Sequence, residues 1–149
     1  LHKPGKLTPE EFADMKQHPI FGAKILENAE SDLLQLSRTI TLHHHEKWDG
    51  TGYPYGLKGE AISLEGRICA LGDVFDALTS KRPYKAAFPL DETLRIVKEG
   101  SGKHFDPKAV EALLKGVDRI KVVMARYAAE KAAEDPSWGT SMLKGAPAA

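Results

Sequence analysis

Cysteine is nearly absent from this chain. Cys69 is the only one in 149 residues, so no disulfide can close within it, and a reducing, cytoplasmic setting fits. No apolar run approaches the roughly 20 residues needed to cross a bilayer, which excludes a membrane-spanning helix. An excess of either charge is also missing, with Lys plus Arg and Asp plus Glu at 21 each. A protein that follows a nucleic-acid backbone carries a basic surplus, so DNA is set aside as a partner. A small anion needs only a few well-placed cations and is not excluded. Nowhere do apolar and polar residues alternate over the length of a strand. The start, Leu1-His2-Lys3-Pro4-Gly5, has no apolar core of a signal peptide and reads as the middle of a loop.

What is present is a succession of helix signals, and the length suits one domain with one core. Thr8-Pro9-Glu10-Glu11 forms an N-cap, a first-turn proline and a capping box, predicting a helix to about Gln17. A second helix is expected over 19–28, with Ile20, Ala23 and Leu26, or Phe21 and Ile25, on its apolar side. Ser31 caps a third, whose stripe Leu33, Leu36 and Ile40 leads to His44, while the row Leu34, Arg38 and Thr41 leads to His45. Between Glu46 and Glu60 five glycines and prolines mark a loop of turns. A fourth helix is expected over 64–80, with Ile68, Leu71, Phe75 and Leu78 inward. Asp91 caps a fifth, and Asp106-Pro107 opens a sixth whose stripe Val110, Leu113, Leu114, Val117, Ile120, Met124 and Tyr127 is the cleanest in the chain. The fold class is therefore all-α. Residues 1–127 form the domain, and the alanine-rich 128–149 is expected to be a frayed helix and disordered tail.

Several residues can carry chemistry, each with a bland alternative. His44 and His45 are adjacent imidazoles at the end of an apolar-striped helix, beside acidic residues; metal ligation competes there with a structural role. His43 points off the row of His44 and reads as a surface residue. Asp73 lies one position from an apolar helix face, where an ionised carboxylate is costly without a cation; metal binding and solvent exposure weigh equally. Asp76 either lies near the same face or points to solvent. His18, taken alone, reads as a helix-end cap. Arg82-Pro83-Tyr84-Lys85 sets two cations three apart around a stiff proline, fitting a phosphate or a solvated basic turn. Gly50-Thr51-Gly52 has no preceding strand and Gly100-Ser101-Gly102-Lys103 lacks Walker spacing, so neither is a nucleotide loop. His104 reads as structural.

The run His44-His45-Glu46-Lys47-Trp48-Asp49-Gly50-Thr51-Gly52-Tyr53-Pro54 resembles the HD-GYP family, which is named for such histidines and for Gly-Tyr-Pro. Gly72-Asp73-Val74-Phe75-Asp76-Ala77-Leu78-Thr79-Ser80 and Arg82-Pro83-Tyr84-Lys85 resemble its next blocks. Lys3-Pro4-Gly5-Lys6-Leu7-Thr8 and Met15-Lys16-Gln17-His18-Pro19 lie upstream, with Gly100-Ser101-Gly102 and His104-Phe105-Asp106-Pro107 downstream. The match spans about residues 1–120. It implies an HD-type metal-dependent phosphohydrolase helical bundle that hydrolyses cyclic di-GMP, a bacterial second messenger, to pGpG or GMP. Two or three divalent metal ions, iron or manganese, would serve as cofactors. His18, His44, His45 and Asp73 fall on family metal positions, with His44, His45 and Asp73 at the catalytic centre. Arg82 and Lys85 fall on phosphate-contacting positions, and Tyr53 in the loop beside the pocket, a loop also implied to meet diguanylate cyclase (GGDEF) domains.

The family's His-Asp doublet precedes the Lys-Pro-Gly-Lys block. The resemblance thus implies a partial domain lacking its amino-terminal helices, an upstream sensor or receiver domain, and weak metal binding and turnover by this chain alone. Gly72 stands where the family more often has alanine. The implied chemistry is in-line attack by water on a phosphodiester held by metals about 3.5–4 Å apart. The competing expectations are a non-catalytic regulatory module that binds cyclic di-GMP or a cyclase domain, and a hydrolase for another phosphodiester.

Overall fold

A computed structural model describes residues 7–80 and 86–134, with side chains to 130. Among these residues every regular element is helical, apart from one isolated bridge between Ser101 and Phe105. The helices are α1 (Pro9–Met15), α2 (His18–Ile25), α3 (Asp32–His43), α4 (Leu64–Thr79), α5 (Leu90–Glu99), α6 (Pro107–Lys115) and α7 (Val117–Glu134), with a 3₁₀ turn at Gly59–Ala61. None is long and apolar enough to cross a membrane. The chain divides into two compact units, Leu1–Glu111 and Ala112–Ala149.

Local chemistry explains the helix starts. The Thr8 hydroxyl accepts from the Glu11 N–H while the Glu11 carboxylate accepts from the Thr8 N–H, closing the expected capping box. The Ser63 hydroxyl accepts from the Gly66 N–H and opens α4. The Asp106 carboxylate accepts from the Lys108 N–H at the start of α6. Two expected caps differ. Ser31 occupies the N-cap of α3 without a side-chain bond, and Asp91 lies inside the first turn of α5, behind Pro89 as N-cap. Asp91 still complements the positive end of the helix from that position.

In the first unit α3 packs against both α2 and α4, and α4 against α5. Ala23, Ile62, Ala70, Leu71, Val97, Phe105 and Val110 form its core. The inward stripes hold only partly. Ala23 is buried, but Phe21 and Ile25 face outward, and Leu33, Leu36 and Ile68 are exposed where the sequence pattern placed them inside. Leu71, on the same stripe of α4 as Ile68, is buried in the core.

In the second unit the predicted single long helix is broken at Gly116. Its N–H is shared between the Ala112 and Leu113 carbonyls, a tightened turn that ends α6 before α7 begins. Tyr127, expected inward, is exposed, and α7 continues past it to Glu134.

Candidate metal centre

Three histidines from two helices converge. The α2 and α3 backbones approach closely where Gly22 faces Thr41; a Cβ on Gly22 would lie 2.7 Å from the Thr41 methyl. That approach brings His18, the first residue of α2, against His44, the C-cap of α3. The His18 Nδ1 lies 2.7 Å from the Met15 carbonyl oxygen, and the His44 Nδ1 lies 2.8 Å from that of Thr41. A carbonyl only accepts, so each Nδ1 carries a proton, and in the neutral ring each Nε2 keeps its lone pair. The two Nε2 atoms face one another at 3.4 Å. Lone pairs so placed repel unless a proton or cation lies between them. Backbone pinning of the far nitrogen is also the usual way a ligating imidazole is oriented.

His45 completes the group. Its ring centroid lies 4.0 Å from that of His44 and 4.9 Å from that of His18. One donor atom from each of the three histidines lies within 4.8 Å of the others. Burial, followed by the neighbouring His44 and His18, pushes the His45 imidazole down to about 4, with Asp73 pulling the other way. At neutral pH His45 is therefore uncharged, the form that binds metal. Imidazole nitrogens suit a divalent transition metal, and the three histidines can hold such an ion.

Asp73 lies on α4 and is exposed rather than held against an apolar face. Its charge is felt at His45, Tyr53 and Cys69, yet its carboxylate is outside the tight three-histidine group. Asp76 is exposed and accepts from the Ser80 hydroxyl at the end of α4. His43 is not a surface residue: its Nδ1 accepts from the Ser63 N–H, and its Cβ sits where a side chain on Gly66 would go. It joins α3 to the start of α4. His104 is half-buried and stacks on Phe105 at 4.4 Å, as a structural residue would. Arg82 and Lys85 lie outside the described residues, as does the Lys3-Pro4-Gly5-Lys6 block.

The glycine-rich loop is folded onto the site. The Tyr53 N–H donates to the His45 carbonyl, and the Tyr53 ring stacks on the His45 ring at 4.8 Å. Glu46, only 1% exposed, accepts from the Tyr55 and Leu57 N–H groups, one at each carboxylate oxygen. The Trp48 and Asp49 N–H groups donate to the carbonyls of His104 and Lys103, tying the loop to the segment before α6. Arg67 reaches from α4 to Asp106 at 2.6 Å, an ion pair that is largely buried. Sequence reading missed the roles of Glu46 and Arg67. The signal for Glu46 was a carboxylate directly after two candidate ligands; Arg67 and Asp106, 39 residues apart, gave none. Lys16 was missed too. Its ammonium lies 4.7 Å from the centroid of the Phe12 ring and 5.8 Å from that of Tyr53.

The family model described as "HD domain" matches residues 1–109. The chain belongs to the HD domain family. A cyclic di-GMP phosphodiesterase of Vibrio cholerae is 53% identical over 132 residues, covering 85% of this chain and 27% of that protein. A cyclic di-GMP phosphodiesterase of Thermotoga maritima is 51% identical over 126 residues, covering 85% and 34%. Among solved structures, a cyclic GMP-AMP specific phosphodiesterase of V. cholerae superposes with a TM-score of 0.60 at 27% identity, over 75% of this chain and 25% of that one. This HD domain chain thus spans about a quarter to a third of the curated relatives it matches. Its helical bundle is that of an HD phosphohydrolase, a metal-dependent class, and the histidine cluster fits that class.

Proposed function

We propose that this HD domain belongs to a metal-dependent phosphodiesterase that hydrolyses cyclic di-GMP to pGpG or GMP in bacterial second-messenger signalling. The observation that carries the reading is the convergence of the His18 and His44 Nε2 lone pairs at 3.4 Å with uncharged His45 beside them. Such an arrangement is electrostatically unfavourable unless a proton or a cation lies between the two nitrogens, and a bound cation satisfies it. His18, His44 and His45 would hold metal, with Asp73 adding the negative charge that already reaches His45. Iron or manganese is the proposed metal, two or three ions in the full centre. When bound, the ions supply Lewis acidity at a phosphoryl oxygen and lower the pKa of water. The chain's own residues do the rest. The Met15 and Thr41 carbonyls hold two imidazoles in the ligating tautomer, and Tyr53 covers the His45 face. Arg82 and Lys85 are proposed to neutralise phosphate charge.

The other assignments rest on the same reading. Residues 1–127 act as the catalytic domain and 128–149 as a tail. A sensor or receiver domain precedes it, the Tyr53 loop meets diguanylate cyclase domains, and the setting is the cytoplasm. A second substrate, cyclic GMP-AMP, is favoured by the superposed phosphodiesterase, which is specific for that dinucleotide. Chain loaded with iron or manganese is incubated with each cyclic dinucleotide and the products are separated by chromatography. Linear dinucleotide or mononucleotide formed only in metal-loaded samples supports the proposal. Binding without cleavage by both this chain and an upstream-extended form, each metal-loaded, would instead favour a regulatory module.

A further inference from the structure

We propose that Lys16 is a substrate-binding residue that takes the second, non-scissile phosphate of a cyclic dinucleotide; the proposal rests on the phosphodiesterase reading above. Lys16 caps the end of α1, two residues before His18. Its ammonium is held over two aromatic faces, Phe12 at 4.7 Å and Tyr53 at 5.8 Å. Among the described residues no carboxylate forms an ion pair with it. Ring faces orient an ammonium without cancelling its charge, so the cation stays available to an anion.

Tyr53 fixes where that anion would lie. Its ring stacks on His45 at 4.8 Å and meets His18 edge-on at 6.4 Å. Lys16 and the histidine cluster thus share Tyr53 as a neighbour. A cyclic dinucleotide carries two phosphates across one macrocycle, so holding one at the cluster leaves the other to reach outward over Tyr53. The residue would thus distinguish a two-phosphate ring from a simple diester.

The test compares Lys16→Ala, Lys16→Met and Lys16→Arg with the wild-type chain on cyclic di-GMP and on bis(p-nitrophenyl) phosphate, which has one phosphate. Lys16→Met keeps the packing stem over both rings while removing the charge. Expected for Ala and Met is a KM for cyclic di-GMP raised on the order of tenfold, the loss of one charge-assisted hydrogen bond, with kcat nearly unchanged. Activity on the single-phosphate diester and bound metal should match wild type, and Lys16→Arg should restore most of the affinity. Unchanged KM in Ala and Met, or equal loss on both substrates, overturns the assignment of Lys16 alone. A wild-type chain that cleaves bis(p-nitrophenyl) phosphate but neither binds nor cleaves a cyclic dinucleotide overturns the functional reading and this inference together.

Discussion

Two glycines twenty residues apart should respond to alanine in opposite directions. At Gly52 an added Cβ would lie 2.3 Å from the Lys47 nitrogen, 2.5 Å from the Glu46 Cα and 2.6 Å from the Glu46 carbonyl carbon. All three are backbone atoms next to the ligand-bearing turn, so no side chain can swing aside. Overpacking ordinarily costs about 1–3 kcal/mol, and a clash with fixed backbone belongs at the upper end. Gly52→Ala should therefore lower the melting temperature on the order of 10 °C. It should also pull Tyr53 off His45, because the Tyr53 N–H bond to the His45 carbonyl cannot survive a shift of the loop. Gly72 sits inside α4 with nothing within 4 Å of its would-be Cβ. Gly72→Ala removes backbone entropy from the unfolded chain and should stabilise by about 0.5–1 kcal/mol. Thermal melts by circular dichroism on both variants, with metal titrations, decide the matter. A Gly52→Ala variant that melts like wild type and binds metal equally would refute the idea that this close approach holds the loop on the site.

Glu46→Gln should destabilise by about 2 kcal/mol, since an amide cannot accept from both the Tyr55 and Leu57 N–H groups; urea unfolding measures it. Asp106→Asn leaves an oxygen for the Lys108 N–H but strips the charge partner from mostly buried Arg67, costing about 3 kcal/mol by the same measurement. In metal-free chain His45 is held at about 4 against 6.5 when unfolded, and burial lowers His43 and His104 as well. The unfolded state binds more protons in that window, so the melting temperature should fall as pH drops from about 6.5 towards 4. A flat profile with chelator present would contradict the burial of these imidazoles.

Local signals were legible and long-range ones were not. The Thr8 capping box and the Asp106 cap could be read because each is complete within four residues. The break at Gly116 could not, because the apolar stripe runs through it without losing phase. Exposure of Leu33, Leu36 and Ile68 was likewise invisible, since periodicity shows that a face is apolar but not that anything covers it. At the site, the row from Leu34 to Thr41 pointed to His45, whereas taken alone His18 looked like a helix cap. Only the close approach at Gly22 shows why it meets His44. For Asp73 metal binding and solvent exposure weigh equally in the sequence; the residue is exposed, and its charge reaches His45.

The proposed phosphodiesterase requires a divalent ion on the ring nitrogens of His18, His44 and His45. Anomalous scattering from crystals of iron- or manganese-loaded chain tests it most directly. A peak bonded to the Nε2 atoms of His18 and His44 and to a ring nitrogen of His45, lost in His18→Ala, is expected. A loaded crystal with its peak elsewhere, or one unchanged in His18→Ala, would contradict it.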